Sequence, residues 1–271
     1  MPPKSYSPFG KGPAFICILL LFLFPVGVCA GPAEDAAAKW QHGNPSEWGE
    51  RVRGIKTGIR AKGKEAALTF DACGGPRGSA VDEDLLGFLE SRKIPATFFL
   101  SGRWVEKNRK TLSRLAANPL FEIGNHGKNH MPLSVTGKSA YGIAGTGTPL
   151  EAAMEIEENA RLLEELTGRR TKFFRSGTNH YDETAVRIAR ELGHEAVGYT
   201  LNGDGGATFS KAAIKEALLS AKGGEIFIFH MNRPEGNTAE ALREAIPLLL
   251  ERDFRFVRLS DRPLTESPDQ P

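Results

Sequence analysis

The sequence predicts an α/β fold with a parallel central sheet. Short apolar runs alternate with amphipathic stretches of helical spacing along most of the 271 residues. Gly168 and Gly193 follow two of the helical stretches, at the position where helices commonly end. Strand and helix patterns also alternate repeatedly, which is typical of parallel strands joined by crossover helices.

The apolar runs are short, aromatic or β-branched, and bounded by glycine or polar residues, as buried strands are. The seven runs are AALTF (66–70), ATFFL (96–100), FEIGN (121–125), KFFRS (172–176), EAVGYT (195–200), EIFIF (225–229) and FRFV (254–257). Seven strands fit either a barrel with fewer than eight strands or an open, doubly wound sheet. No G-x-G-x-x-G fingerprint opens a helix after the first strand, so a nucleotide-binding sheet has little support.

Four stretches between the strands carry apolar residues at helical spacing. They are DEDLLGFLESR (82–92), EAAMEIEENARLLEELTG (151–168), DETAVRIARELG (182–193) and NTAEALREAIPLLLER (237–252). In the last stretch, Asn237 and Glu240 stand at capping-box spacing, which predicts a helix start there.

The first thirty residues have the pattern of a secretory signal. Lys4 and Lys11 precede an apolar run, and small residues lead to Ala30. The run is short for a membrane span and Pro25 interrupts it. We expect cleavage after Ala30, no stable membrane span afterwards, and an exported protein, periplasmic or secreted. Of the three cysteines, only Cys73 would then remain.

The rest of the chain is predicted to form one domain over residues 64–262. Residues 31–63 are expected to be an extended lead-in, and residues 263–271 a disordered tail. Loss of two lysines from 35 basic residues would leave as many basic as acidic residues, of which there are 33. A formally neutral chain does not suggest non-specific nucleic-acid binding.

Reactive side chains stand at the ends of five predicted strands. Carboxyl ends of parallel strands meet at one edge of the sheet, where active sites of α/β barrels form. The residues concerned are Asp71, His126, His130, Arg175, Asp204 and His230.

Five of these six residues also have a structural explanation. His126 and His130 lie four residues apart, which on a helical turn would suit a divalent metal, although such pairs also arise by chance. His230 is compatible with a core histidine bonded to backbone. Asp71 and Arg175 are costly to bury alone and could satisfy each other as a structural ion pair.

Taken in order, these segments resemble the polysaccharide deacetylases, the NodB-homology carbohydrate esterases of family four, over about residues 64–260. Five family motifs have counterparts here, in the same order. T-F-D-D corresponds to TFDA (69–72), H-[ST]-x-x-H to HGKNH (126–130) and R-x-P-Y to RSGT (175–178). The family's acidic motif corresponds to NGD (202–204), and L-x-H to FIFH (227–230). Five segments in the family's order are a specific signal, although R-x-P-Y keeps only its arginine.

The resemblance implies a distorted (β/α) barrel of about seven parallel strands. It also implies a metal-dependent hydrolase that removes N-acetyl groups from N-acetylhexosamine polysaccharides or oligosaccharides. By matching position, Asp71 is the general base and Arg175 orients it. His230 is the general acid and Asp204 tunes it.

The resemblance also makes His126 and His130 the metal ligands, with zinc as the usual metal. Ala72 stands where the family has its third ligand, whereas a catalytic zinc generally takes three protein ligands plus water. Cys73 could supply a thiolate ligand, but a free cysteine is more often a small apolar filler. We favour a third possibility, in which water completes the coordination of a more weakly bound metal. The other expected catalytic residues all stand at the positions of the family motifs, which argues for a site that still works.

Two residues near the altered R-x-P-Y motif are expected to bind substrate. Thr178 holds its last position, and Tyr181 could restore an aromatic platform or be an ordinary helix-start tyrosine. The glycine-rich stretch 134–149, with Lys138 and Tyr141, predicts a binding loop. Two alternatives stay open: a non-catalytic glycan-binding protein on the same fold, and an amidohydrolase acting on a non-sugar carbon–nitrogen bond.

Overall fold

The computed structural model describes residues 1–4 and 31–266, so nearly all of the expected signal sequence lies outside the described residues. The helices of this part of the chain are α1 (Pro32–Lys39), α2 (Glu83–Ser91), α3 (Gly102–Val105), α4 (Arg109–Ala117), α5 (Pro149–Thr167), α6 (Glu183–Glu191), α7 (Lys211–Leu219) and α8 (Thr238–Glu251). Its strands are β1 (Gly58–Ile59), β2 (Glu65–Ala72), β3 (Ala96–Leu100), β4 (Phe121–Asn125), β5 (Phe173–Phe174), β6 (Glu195–Ala196), β7 (Leu201–Asn202), β8 (Ile226–His230), β9 (Arg255–Val257) and β10 (Leu264–Thr265), with a 3₁₀ turn at Leu259–Asp261.

The central sheet is parallel and runs in the order β6-β5-β4-β3-β2-β8-β7, with β9 pairing to the start of β2. Residues 197–200 alone separate β6 from β7, although these strands stand at opposite ends of that order. Such a connection spans at most about 18 Å, so the sheet must curl until its edges approach each other. The curled half-barrel confirms the predicted distorted (β/α) barrel.

All seven predicted strand runs contribute to this sheet, with one correction. The run 195–200 is not a single strand. Its first two residues form β6, the chain then crosses the open side of the sheet, and β7 begins just beyond the run. Apolar periodicity does not show such a crossing, because Val197 and Tyr199 continue the apolar run between the two strands.

The main core lies between the sheet and the helices on its outer face. Phe70 of β2 stacks between Phe98 of β3 and Phe229 of β8, with ring centroids 5.4 and 5.6 Å away. These rings belong to one apolar cluster with leucines of α2 and α8. Because successive residues of a strand point to opposite faces, Thr69 and Asp71 lie on the inner side of the curled sheet.

The four predicted helical stretches form α2, α5, α6 and α8. The pattern missed α4 and α7, each of which buries only two residues. Helix α8 begins after Asn237 as expected, but the predicted capping box is absent there: the Asn237 side chain caps no backbone amide of the helix, and its Nδ2 donates to the carbonyl of Phe209. Among the helices of the described residues, none has both the length and the apolar content that a membrane crossing requires.

The expectation of an extended lead-in over residues 31–63 is wrong at its start, where α1 forms. Pro32 opens this helix, and Glu34 and Asp35 place negative charge in its first turn, where both features are favourable. Alanine is the strongest helix former, and the buried alanines of α1 pack into a second apolar cluster with residues of α5 and α6. The polar composition of the segment concealed this short helix.

The expected C-terminal tail is ordered at its start. β10 pairs antiparallel with β1, so that Thr265 lies opposite Gly58 and Leu264 opposite Ile59. The expectation of disorder is therefore wrong for these two residues of the tail, because they find a strand partner about 200 residues away in sequence. Residues 267–271 lie outside the described part of the chain.

Candidate active site

The reactive residues converge at the carboxyl ends of the parallel strands, as the sequence predicted. Asp71 is the penultimate residue of β2, and strand pairing sets it opposite His230, the last residue of β8. Arg175 follows β5 directly and Asp204 follows β7. The two histidines of HGKNH (126–130) come after β4. Several reactive side chains from separate strands therefore share one edge of the sheet.

Asp71 and Arg175 form a buried ion pair. Nη1 of Arg175 donates to Oδ1 of Asp71 and to Oγ1 of Thr69, both at 2.8 Å. Its Nε and Nη2 donate to the carbonyls of Val197 and Gly198. Burial raises the pKa of Asp71, but the charge of Arg175 and the nearby imidazoles hold that pKa below its usual value. Asp71 is thus ionised and held in one orientation.

His230 and Asp204 form a second pair. Oδ1 of Asp204 accepts from Nδ1 of His230 at 2.9 Å, and Oδ2 accepts from the His230 amide at 2.7 Å and the Thr238 hydroxyl at 3.1 Å. Burial disfavours a charged imidazole, but the carboxylate raises the pKa of His230 well above its usual value. Because Nδ1 is engaged by Asp204, Nε2 is the nitrogen available for proton transfer.

His126 and His130 come together without the helical turn that their spacing suggested. Residues 126–130 form an irregular loop, with Gly127 at φ 77° and His130 at φ 60°. These left-handed residues fold the loop back on itself, and the two rings meet edge to face with centroids 4.8 Å apart. Nδ1 of His126 lies 2.9 Å from the carbonyl oxygen of Arg175, which leaves Nε2 of His126 for a ligand.

This loop is held by Glu155 of α5, a residue that the sequence analysis missed. The Glu155 carboxylate accepts from the amides of Asn129 and Met131 at 2.9 and 3.1 Å. Burial raises the pKa of Glu155 to about 7, against the opposing effect of these hydrogen bonds. The same carboxylate explains the glycine at position 127, where the family has Ser or Thr. A Cβ on Gly127 would lie 2.4 Å from Oε1 of Glu155.

Cys73 joins the two histidines in a cluster that we name the Cys–His–His group. Its Sγ lies 4.0 Å from Nε2 of His126. This sulfur and one nitrogen from each of His126 and His130 all lie within 4.8 Å of one another. Nε2 of His130 is buried and has no hydrogen-bond partner in the described part of the chain.

The donor set of the Cys–His–His group fits a divalent metal. Burial raises the pKa of the Cys73 thiol, but the neighbouring imidazoles, His130 first, lower it well below its usual value. A thiolate and two imidazole nitrogens are ligands that zinc prefers. A ligand at this point would also satisfy the unpartnered nitrogen of His130.

The site opens into a cavity of about 350 Å³. Its wall includes Asp71, Cys73, His130, Thr178 and His230. Oγ1 of Thr178 is buried without a hydrogen-bond partner among residues 1–4 and 31–266. Thr178 therefore lines the cavity with its hydroxyl oxygen buried, and the substrate-binding role expected for Thr178 stays a prediction.

The prediction that Tyr181 binds substrate is wrong, because its side chain is fully buried in the second apolar cluster. Its hydroxyl accepts from the amide of Ser176 at 2.9 Å, and its backbone pairs with Gly49 of the lead-in. Val52 and Ile55 of the lead-in belong to the same apolar cluster as Tyr181. Contacts between segments so distant in sequence are not visible in the local pattern.

The mouth of the cavity is formed by the lead-in and by the loop 134–149. Glu50 accepts hydrogen bonds from the hydroxyls of Tyr141 at 2.9 Å and Tyr199 at 2.5 Å, and all three residues line the cavity. Tyr141 was expected near the site, but Glu50 and Tyr199 were missed. They lie 149 residues apart and carry no motif. Lys138 lies 5.9 Å from the ring centroid of Trp48.

The departure from the R-x-P-Y motif has a local cause. Gly177 stands where the family has proline, and a Cβ on Gly177 would lie 2.2 Å from the carbonyl carbon of His130. The Gly177 amide donates to the carbonyl of Met131 at 3.2 Å, a bond that proline cannot make. The loop that carries His130 therefore requires glycine at position 177.

Comparison with known proteins points to one family. A family model described as polysaccharide deacetylase matches residues 58–197, just over half of the chain. A peptidoglycan-N-acetylglucosamine deacetylase of Bacillus cereus is 27% identical over 229 residues, which cover 83% of this chain and 76% of the relative.

Solved structures with the same fold include a metal complex and a pseudoenzyme. A family 4 acetyl xylan esterase from Clostridium thermocellum, in complex with a cobalt ion, has a TM-score of 0.60 at 25% identity, covering 73% of this chain and 89% of its own. A CE4 family pseudoenzyme from Bacillus anthracis has a TM-score of 0.63 at 21% identity, covering 76% of this chain and 67% of its own. The fold alone therefore does not decide activity.

Proposed function

This chain belongs to the polysaccharide deacetylases, a family of hydrolases that act on carbon–nitrogen bonds, and we propose that it removes N-acetyl groups from a polysaccharide containing N-acetylhexosamine. The reaction would depend on a divalent metal, zinc by analogy with the family. One observation carries the proposal: Asp71 and His230, each paired with a buried partner, line one cavity together with Cys73 and His130 of the Cys–His–His group.

Asp71 is assigned as the general base. His126 and His130 would hold the metal, and a bound ion would make a water molecule more acidic and polarise the acetyl carbonyl. Asp71 accepts the proton of the attacking water through Oδ2, since Oδ1 is bonded to Arg175. Arg175 keeps the carboxylate ionised and fixes its direction, so that the base needs no reorientation during the reaction.

His230 is assigned as the general acid. Its Nδ1 is held by Asp204, so the protonated ring presents Nε2–H to the departing amine. The raised pKa of His230 keeps this proton in place at neutral pH. A positioned acid or base of this kind typically contributes a factor of about 10² to 10⁴ in rate.

The cavity suits a sugar with an acetylated amine. Thr178, Tyr141 and Tyr199 line the cavity, and the two tyrosines supply aromatic surface with polar tips. The Bacillus cereus relative is named for an activity on peptidoglycan N-acetylglucosamine. Such a polymer lies outside the cytoplasmic membrane, which agrees with the export signal expected in the first thirty residues and with a periplasmic or secreted protein.

The test is acetate release from N-acetylglucosamine oligomers and from peptidoglycan by the metal-loaded protein. Asp71→Asn and His230→Ala should each lower kcat by about 10²-fold or more. The matched controls Asp84→Asn and His42→Ala change exposed residues outside the cavity and should leave kcat unchanged. Acetate release that survives both Asp71→Asn and His126→Ala would refute metal-assisted deacetylation, and sugar binding without any acetate release would favour the glycan-binding alternative.

A second candidate is an amidohydrolase acting on a small non-sugar amide. It is favoured by the hydrogen bonds from Tyr141 and Tyr199 to Glu50, which tie three residues of the cavity wall together, where a polymer calls for an open groove. Rates on N-acetylglucosamine oligomers of one to five units separate the two candidates. A rate that rises with chain length supports the polysaccharide, whereas preference for a small acetylated amine supports the amidohydrolase.

A further inference from the structure

The Cys–His–His group differs from the metal-ligand motif of the family at one position. Ala72 stands where the second acid of T-F-D-D would be, and its side chain is fully buried in the main apolar cluster. The next residue, Cys73, lies just past the end of β2. Since side chains alternate along an extended chain, Cys73 returns to the side of Asp71 and Thr69.

The end of β2 is held in a defined position. Ser101 donates its amide to the carbonyl of Ala72 at 3.1 Å and its hydroxyl to the carbonyl of Cys73 at 2.7 Å. The backbone that carries the thiol is therefore anchored to the end of β3. From this anchor, Sγ of Cys73 reaches to within 4.0 Å of Nε2 of His126.

We propose that the Cys73 thiolate is the third protein ligand of the metal and replaces the missing acid at position 72. This inference rests on the proposed function, because it takes His126 and His130 as ligands of the same ion. Their nitrogens and Sγ lie within 4.8 Å of one another. Any proton held by Sγ or by the two ligand nitrogens would leave to solvent when the metal binds.

Asp71 is the competing ligand, since its Oδ2 lies 3.6 Å from Nε2 of His126. Its negative charge is already matched by Arg175, which bonds Oδ1. Sγ of Cys73 instead contacts His126, one of the two ligand histidines. Of the two groups, Cys73 is the one that no arginine of the described residues already holds in place.

A thiolate ligand has a consequence for metal choice. Soft sulfur ligands select zinc and chemically similar ions, whereas magnesium and manganese prefer an all-oxygen environment. The protein should therefore bind Zn²⁺, Co²⁺ and Cd²⁺ and discriminate against Mg²⁺ and Mn²⁺. Coordination would also shield the single thiol of the exported chain from oxidation.

The test is an absorption titration of the purified protein with Co²⁺. We expect about one Co²⁺ per chain and a thiolate-to-cobalt charge-transfer band in the near ultraviolet. Cys73→Asp, which places a carboxylate on the same anchored backbone, should keep the ion and lose that band. Cys73→Ala should weaken Co²⁺ binding by at least about tenfold, since even the loss of an outer-shell partner can cost that much.

Two further variants make the result decisive. Asp71→Asn should retain both the bound Co²⁺ and the charge-transfer band. His126→Ala should lose the bound Co²⁺. Circular dichroism checks that each variant is folded. Stoichiometric Co²⁺ without the band in the unaltered protein would overturn thiolate ligation and leave the proposed metal dependence standing. Loss of the ion in Asp71→Asn but not in Cys73→Ala would likewise overturn it. Failure of the unaltered protein to bind Co²⁺ would overturn this inference together with the metal step of the proposed function.

Discussion

At the scale of single residues, the site depends on buried charges that are satisfied in pairs. Arg175 is fully buried, and its donors end on oxygens of Thr69, Asp71, Val197 and Gly198. Removing one partner of a buried pair leaves an uncompensated charge behind. The ion pair therefore serves the fold as well as the proposed chemistry, and the two roles can be separated by a stability measurement.

We predict that Arg175→Met lowers the free energy of unfolding by about 3–5 kcal/mol, because Asp71 is then buried without a counter-charge. Urea denaturation of the metal-free protein measures this loss. The control is Arg243→Met, whose partner Asp84 lies 3.4 Å away in an ion pair with side chains 43% and 80% exposed. That variant should change stability by no more than about 1 kcal/mol. Similar losses of free energy of unfolding in both variants would contradict the view that breaking the buried Asp71–Arg175 pair costs more than breaking an exposed pair.

Single residues were predictable from sequence where a motif names a chemistry. Asp71, Arg175, His230 and Asp204 lie where the motif order placed them. The direction in which a side chain points was harder to predict from the sequence. Tyr181 was expected in the cavity and is buried beside the lead-in, because its surroundings depend on a segment more than 130 residues earlier.

At the scale of elements, the connection between α6 and β6 buries a histidine. Nε2 of His194 lies 3.0 Å from Oγ1 of Thr171, and Nδ1 is buried without a hydrogen-bond partner in the described ranges. Burial, followed by the charge of Arg170, lowers the pKa of His194 to about 4. The folded protein thus holds this imidazole neutral at the junction of a helix and a strand.

This burial predicts a dependence of stability on pH. The unfolded chain protonates His194 near pH 6.5, but the folded chain does so only near pH 4. Between these values the unfolded state binds more protons, so the free energy of unfolding rises with pH. The contribution of His194 to the free energy of unfolding is fully present above pH 6.5. It falls by roughly 3 kcal/mol as the pH drops from that value towards 4.

Urea denaturation at several pH values between 4 and 6.5 tests the His194 contribution. His194→Gln, which keeps a polar group next to Thr171, should show a flatter profile than the unaltered protein. His42→Gln changes an exposed histidine and should keep the original slope. An unchanged slope in His194→Gln would assign the pH dependence to other groups.

At the scale of the whole molecule, the two ends of the domain are built into the fold. α1 packs its alanine face into the second apolar cluster with α5 and α6, and β10 pairs with β1. The lead-in then continues to Glu50 at the cavity mouth. The segment before the barrel therefore contributes both to the core and to the candidate site.

We predict that Ala36→Glu destabilises the whole protein, because Ala36 is 3% exposed within that cluster. A buried charge with no partner and the added side-chain volume should together cost about 3 kcal/mol or more. Ala38→Glu is the matched control on the exposed side of the same helix and should cost less than about 0.5 kcal/mol. Thermal unfolding of both variants makes the comparison, and equal melting temperatures would show that α1 does not support the domain.

The sequence by itself determined the fold class, most strands of the central sheet and the residues that form the two ion pairs at its edge. These features follow from local periodicity and from the types of residue at strand ends. Both can be read from a single segment of the chain, without knowledge of distant contacts. Only the tertiary structure decided that Cys73, rather than position 72, faces the histidines, that Glu50 lines the cavity and that α1 joins the core. Each of these depends on strand register or on contacts between segments far apart in the chain, and those are set by packing of the whole molecule.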